Sequence, residues 1–348
     1  MSQNQPEAWA NQFFRGQTDE RASPQVGAAL AALNCRPFDP FINEGRRKSM
    51  IRSFQKVEEH LLGLADKKGS MSTGLFSYSR EICAADQNDR LVKLVVESLG
   101  VSGCREITEN LRQNLQSRDC LVHGDAGASS ILVEPMDKDN CLFVKKQFCF
   151  EEFRAFAGPV GFDFGLTLAW PLACLVSHAS EGRGEAVQSI LKSVNRFQKA
   201  YCQAMQHARD VEFARKALFN GLAYCGWYLY RLFQLESNTK TLPITTASQR
   251  RTVQESIGVL ALKLMQWGLA NKDTQYLNGE DLWDKVDEAI QDEIDNLMWT
   301  AMSTKMGHRP SSASGSISEP LMQGSIFLGL WVIPIAAFLM SDYWVQNI

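Results

Sequence analysis

The chain lacks the local spacing of a metal or disulfide framework. Its nine cysteines (Cys35, Cys83, Cys104, Cys120, Cys141, Cys149, Cys174, Cys202 and Cys225) are an odd number and form no C-x-x-C pair. Several lie inside apolar stretches, so they read as reduced core residues of an intracellular protein. An excess of positive charge is missing too: 36 Lys and Arg stand against 39 Asp and Glu, with no basic block. Nucleic acid is therefore not an expected partner. Met1 to Asp19 is polar apart from Trp9, Phe13 and Phe14, so no secretory leader is expected.

Residues 1–115 also lack a Gly-x-Gly-x-x-Gly run and any five-strand alternation. What they carry is helical. Ile51, Phe54, Val57, Leu61, Leu62 and Leu64 fall close to one helical stripe, and Leu91 to Leu99 reads likewise. The organisation expected along the chain starts with residues 1–45, rich in Gln, Asn, Pro and Arg around a short apolar piece at Val26 to Leu33, as a loosely ordered arm. A helical region spans 46–106, with a Gly-Ser joint at Lys67 to Gly74. A main body runs over 107–275, an extra helix over 276–306, a flexible linker over 307–320 and an apolar terminal helix over 321–344. Within the main body Val187, Ile190, Leu191, Val194, Phe197 and Tyr201 make one amphipathic face. In the extra helix Val286, Ile290, Ile294, Leu297 and Met298 share a side, which either packs on the body or binds a protein partner or second copy.

What is present is concentrated between Leu121 and Trp170. His123-Gly124-Asp125 follows the apolar Cys120-Leu121-Val122 and leads through a small-residue loop to Ile131-Leu132-Val133. An aspartate on such a turn can take the proton from a substrate hydroxyl as that hydroxyl attacks a phosphoryl group. A second apolar run follows at Leu142 to Phe150, then Glu151 and Glu152, then Gly158-Pro159-Val160-Gly161-Phe162-Asp163-Phe164-Gly165.

In order and spacing, HGDAGASSILV and FEEFRAFAGPVGFDFGLTLAW resemble the methylthioribose kinase branch of the aminoglycoside phosphotransferase and choline kinase superfamily. Ala217 to Glu236, ALFNGLAYCGWYLYRLFQLE, resembles that family's late sugar-facing helix, with Arg231 kept and Tyr230 in place of a first arginine. The resemblance covers roughly Asn110 to Ala270. It implies an α+β, mostly helical fold: a protein-kinase-like C-terminal lobe with short strands around the HGD loop. It also implies a site: Asp125 as base, His123 tying the loop down, Asp163 buried as its brace, and Arg231 facing a sugar. Ser130, Glu151 and Glu152 would be the oxygen ligands of a magnesium ion, with ATP as phosphoryl donor.

The sequence departs from the family in two places. Counted back from Pro159, the metal-binding aspartate falls on Glu151 and the second acid on Phe153; a one-residue slip keeps Glu152 but puts Phe150 in the aspartate's place. Magnesium demands tight octahedral geometry, so either register implies weakened binding. The nucleotide-gripping lobe is missing or degenerate, and Lys145 and Lys146, ahead of the metal strand, read as solvated residues of a strand edge. Three function classes follow. One is an ATP-dependent sugar kinase acting on an S-methyl-5-thioribose-like hydroxyl. Another is a kinase-derived protein without turnover, a pseudokinase that binds a ligand or acts as a scaffold, possibilities which the altered metal position favours slightly. The third is a membrane-tethered scaffold in which the helical arms matter most.

Leu321 to Ser341 carries no charge and approaches the roughly 20 residues that span a hydrocarbon core. Tyr343 and Trp344 lie where an interfacial belt would sit, while Pro334 interrupts the middle. A membrane tail anchor on a cytoplasmic body and a buried terminal helix are the two readings, and the Ser-rich stretch ahead of the segment favours the anchor. Ending the chain after Glu319 separates them. An anchor predicts a soluble product whose melting temperature is unchanged. A product melting several degrees lower, with the full chain soluble without detergent, would select the buried helix.

Overall fold

The computed structural model describes residues 7–36, 45, 48, 106, 107, 109–111, 113–133, 156–234, 242–244, 246–270 and 279–305. The expected helical region at 46–106, the Leu142–Phe150 strand, the linker and the terminal apolar segment lie outside these residues or almost wholly so. The chain divides at Ala301 and Met302, and the architecture that follows belongs to the first unit. It is mostly helical with a few short strands.

The centre is a largely apolar helix that is buried on every side. α3, defined as Phe162–Ser180, buries every residue but Trp170, which is partly covered. It is the one described helix long and apolar enough to cross a membrane, and 94% of its apolar window is buried inside the protein, as in the core helix of a globular body. Three further helices pack around it: α4 (Gly184–Ala208), α5 (Val211–Gln234) and α6 (Ala247–Ala270), with α5 lying between α3 and α6. α4 is amphipathic, as its spacing predicts, and buries Val187, Ile190, Leu191, Val194, Phe197 and Tyr201. Phe164 of α3 stacks on Phe197 with ring centroids 5.3 Å apart and meets Tyr201 at 4.7 Å.

Close approach of α3 and α5 depends on glycine. A Cβ at Gly165 would fall on the Gly221 carbonyl oxygen and the Cys225 amide, and one at Gly221 would strike the Phe164 ring. The two glycines of GFDFG and Gly221 of FNGLAYCG are thus facing parts of one helix crossing, while Gly226 gives α6 the same close approach at Ala261 and Met265.

The N-terminal segment differs from the loosely ordered arm that its composition suggests. Glu7–Ala8 forms β1, Trp9–Arg15 forms α1 and Ala22–Asn34 forms α2. Trp9 and Phe13 are fully buried, and Trp9 reaches Phe197 with centroids 5.9 Å apart. α2 lies along α4 so closely that a Cβ at Gly27 would meet the Phe197 carbonyl oxygen. Thr18 and Ser189 exchange hydroxyl and backbone bonds at 2.9–3.1 Å, and the Ser23 and Ser193 hydroxyls bond each other. Small and hydroxyl side chains are the contact surface between α2 and α4.

The last helix, α7 (Gly279–Lys305), also packs on the body. It buries Trp283, Val286, Ile290, Ile294 and Leu297, and the Trp283 indole donates to Asn195 Oδ1 at 3.2 Å. Five described cysteines, Cys35, Cys120, Cys174, Cys202 and Cys225, are free, and all but Cys202 are buried.

Because Trp9 is a core residue, Trp9→Ala is expected to cost about 3–5 kcal/mol in urea denaturation. Phe14, which is 42% exposed, is the control: Phe14→Ala is expected to stay within about 0.5 kcal/mol of the parent. Equal, small effects would mean that the N-terminal helices do not belong to the folded core.

Candidate active site

Two strands bring the sequence-distant blocks together. β2 (Cys120–Val122) pairs antiparallel with β4 (Phe156–Gly158), with Cys120 opposite Gly158 and Val122 opposite Phe156. The strands exit at opposite ends of the pair: β2 runs directly into His123-Gly124-Asp125, while β4 leaves beside Cys120 and turns through Pro159-Val160-Gly161 into the first turn of α3. The turn at Pro159-Val160 is held from outside. Asn220 of α5 donates to the Val160 carbonyl at 3.0 Å, and Lys216 pairs with Asp119 at 2.9 Å just ahead of β2.

Gly124 has φ +84°, a conformation that residues with a Cβ rarely adopt. With the chain turned there, the amides of His123 and Gly124 point inward at Asp163. Its Oδ2 accepts the His123 N–H at 2.7 Å and its Oδ1 the Gly124 N–H at 2.9 Å. Asp163 is wholly buried and sits in the first turn of α3, where the free helix amides favour negative charge. Burial pushes its carboxyl up, while the two backbone donors and the Asn34 side chain pull it down. One turn later the Thr167 hydroxyl lies between the carbonyls of Ala126 and Asp163 and fixes the far side of the loop.

Asp125 projects from this braced turn and is exposed. Its amide donates to His123 Nδ1 at 3.2 Å, which leaves the His123 ring proton on Nε2 in this arrangement. Its carboxyl is nevertheless raised, chiefly because the surrounding loop strips water from it; the neighbouring His123 and a hydrogen bond from Ser130 act in the opposite direction. Ser130 ends the 3-10 turn Ala128–Ser130 and leads into β3 (Leu132–Val133), which pairs with β1 through Glu7↔Val133 and Ala8↔Leu132.

The structure therefore gathers His123, Asp125, Ser130 and Asp163 from the residues singled out in the sequence. Glu151 and Glu152, with Lys145 and Lys146, lie outside the described residues; for Arg231 only the backbone, within α5, is described. Tyr230, which stands where the resemblance places a first arginine, is buried. Among the described residues no three His, Cys, Asp or Glu come together as a metal site. Asp125 and Ser130 alone do not make the octahedral oxygen set that magnesium requires.

Three residues of this neighbourhood are not assigned to the site by the sequence: Asn34, Thr167, and Tyr201, which reads only as part of the amphipathic face of α4. Asn34 donates to Asp163, Tyr201 donates to Asn34, and Thr167 bonds the loop. The available signal was positional. Asn34 falls at helical spacing after Val26, Gly27, Leu30 and Ala31, a polar residue on an apolar stripe, and such a group needs a buried partner. No protein-family model matches the chain, and no curated protein matches it.

The raised carboxyl of Asp125 has a consequence for stability. A folded-state value above the unfolded one means that the folded protein holds the proton more tightly. Its contribution is then present below about pH 4, the ordinary aspartate range, and is lost as pH rises through the folded-state value. Asp125→Asn is expected to abolish that loss, so the variant should equal the parent at low pH and exceed it in stability near neutrality. Urea titrations across this pH range check it; a variant less stable at neutral pH than at acid pH relative to the parent would contradict it.

Proposed function

We propose that the folded body is the catalytic lobe of a small-molecule phosphotransferase, in which Asp125 takes the proton of an acceptor hydroxyl. The observation that carries the reading is the pair of bonds from the His123 and Gly124 amides to Asp163. They join the two sequence blocks on which the resemblance rests, and they hold the turn while leaving Asp125 outward. A proton acceptor needs an ionised, reachable carboxylate close to its working pH. Asp125 is exposed, and loss of water raises its carboxyl in the needed direction.

The acceptor class is a sugar hydroxyl of the S-methyl-5-thioribose type, following the resemblance around Arg231. ATP would be the donor and Mg²⁺ its companion ion, with Glu151, Glu152 and Ser130 as the candidate oxygens. Bound with the nucleotide, magnesium would neutralise charge on the phosphates. The chain's own contribution is positional: Asp163 and His123 fix the turn, and Asp125 receives the proton as the acceptor oxygen bonds to phosphorus and the bond to the nucleoside diphosphate breaks. A second reading, a kinase-derived binding or scaffold protein, is favoured by one specific observation, the glutamate and phenylalanine at the two expected metal-ligand positions.

Titration with ATP and magnesium is the first step, because a ligand of the native state raises the melting temperature, and the absence of any shift would remove ATP as the donor. Phosphotransfer to 5-methylthioribose is then measured in the parent and in Asp125→Asn. The variant is expected to lose on the order of 10²–10⁴-fold in kcat, with the nucleotide-induced melting shift intact. Equal turnover by the variant would exclude Asp125 as the base. Binding of ATP with no phosphotransfer to any sugar would select the second reading.

A further inference from the structure

Asn34 has the geometry of a part made for the loop rather than for the helix that carries it. It is fully buried at the last position of α2. Its Nδ2 donates to the Leu121 carbonyl at 2.9 Å and to Asp163 Oδ2 at 3.2 Å, and its Oδ1 accepts the Tyr201 hydroxyl at 2.9 Å. The orientation of the amide is dictated by chemistry. A carbonyl and a carboxylate both accept, so the NH₂ must face them, and the Tyr201 O–H must then face Oδ1. Reversing the amide would set an oxygen against two oxygens.

These bonds reach the HGD turn from the strand that enters it. The same N-terminal segment also holds the strand that leaves it: the Trp9 N–H donates to the Ile131 carbonyl at 2.8 Å, and Glu7 and Ala8 pair with Val133 and Leu132. Residues 7–34 thus grip the loop on both flanks. Nothing in the resemblance, which begins near Asn110, supplies this grip.

We infer that Asn34 is a positioning residue for the proposed reaction: through Asp163 and Leu121 it sets the turn on which Asp125 stands, so the N-terminal helices are part of the site. The inference rests on the phosphotransferase reading for its kinetic consequence, but not for its structural one. Asn34 does not touch the reacting atoms. It keeps Asp163 aligned with two amides, and its loss would let the turn breathe.

The test uses the full chain with Asn34→Leu, Asn34→Asp and Tyr201→Phe. Hydrogen exchange is followed by mass spectrometry in peptides covering 120–133 and in peptides of α4 and α6. Asn34→Leu is expected to speed exchange in 120–133 on the order of tenfold more than in α4 and α6, since a hydrogen bond to a charged group is lost. Asn34→Asp keeps the shape but sets carboxylate against carboxylate, so its excess exchange should be large at neutral pH and shrink as pH falls. Tyr201→Phe, which leaves the Asn34 donors in place, should give a smaller excess and serves if the position-34 variants do not fold. Where phosphotransfer is measurable, kcat should fall with the acceptor KM unchanged. Loss of protection spread evenly over 120–133, α4 and α6, with no excess in the loop, would overturn the inference even in an active protein. A parent without phosphotransfer but with the loop-specific excess would leave Asn34 in its role and remove the phosphotransferase reading instead.

Discussion

One carboxylate organises this molecule. Asp163 is wholly buried, and it stays tolerable there because three donors reach it, two backbone amides and one side-chain amide, and because the first turn of α3 favours negative charge. The donors come from two distant stretches of chain. The His123 and Gly124 amides fix the loop after β2, and Asn34 fixes the end of α2. Removing any of them leaves a buried charge short of partners, which costs more than the bond itself contributes. The site and the centre of the core are consequently one construction. Stability and loop geometry cannot be varied independently near residue 163.

Legibility in the sequence followed the physical range of each signal. The HGD and GFDFG blocks were readable because their roles are local: a turn needing positive φ at Gly124, and an acid in the first turn of a helix. The face of α4 was readable because six apolar residues repeat over several turns. The N-terminal segment was not readable, for three different reasons. β1 is two residues long and has no period to detect. α1 is seven residues, too short for a stripe. α2 buries Val26, Leu30 and Ala31 on one stripe, but that short stripe sits in a stretch whose polar and Arg-rich composition points to a loose arm, and Ser23 and Gly27, which let α2 lie against α4, carry no hydrophobic signal. For the candidate site the same rule applies. Asp125, His123, Ser130 and Asp163 lie on motifs, whereas Asn34 and Tyr201 matter only because the fold brings them 129 and 167 positions across the chain to their partners.

The glycines of the α3–α5 crossing deserve comparison with the polar network beside them. Gly161, Gly165 and Gly221 allow backbones to meet without side chains between them. Such a crossing has one depth and little freedom to slide, because any lateral shift drives Phe164 into α5. Asp163 lies between two of these glycines in sequence. The register of the helix crossing therefore sets where its carboxylate stands, and rigid packing rather than the loop itself determines the geometry around Asp125.

The grip of residues 7–34 on later parts of the chain also imposes an order of events during synthesis. Ser23 meets a partner 170 positions further on. At translation rates of about 5–20 residues per second, the apolar face of α2 waits roughly 10–30 s for α4 to emerge. Through that interval Trp9, Phe13, Val26 and Leu30 have no native cover. Apolar surface left open in that way is aggregation-prone, so yield should respond to translation speed more than the final stability suggests.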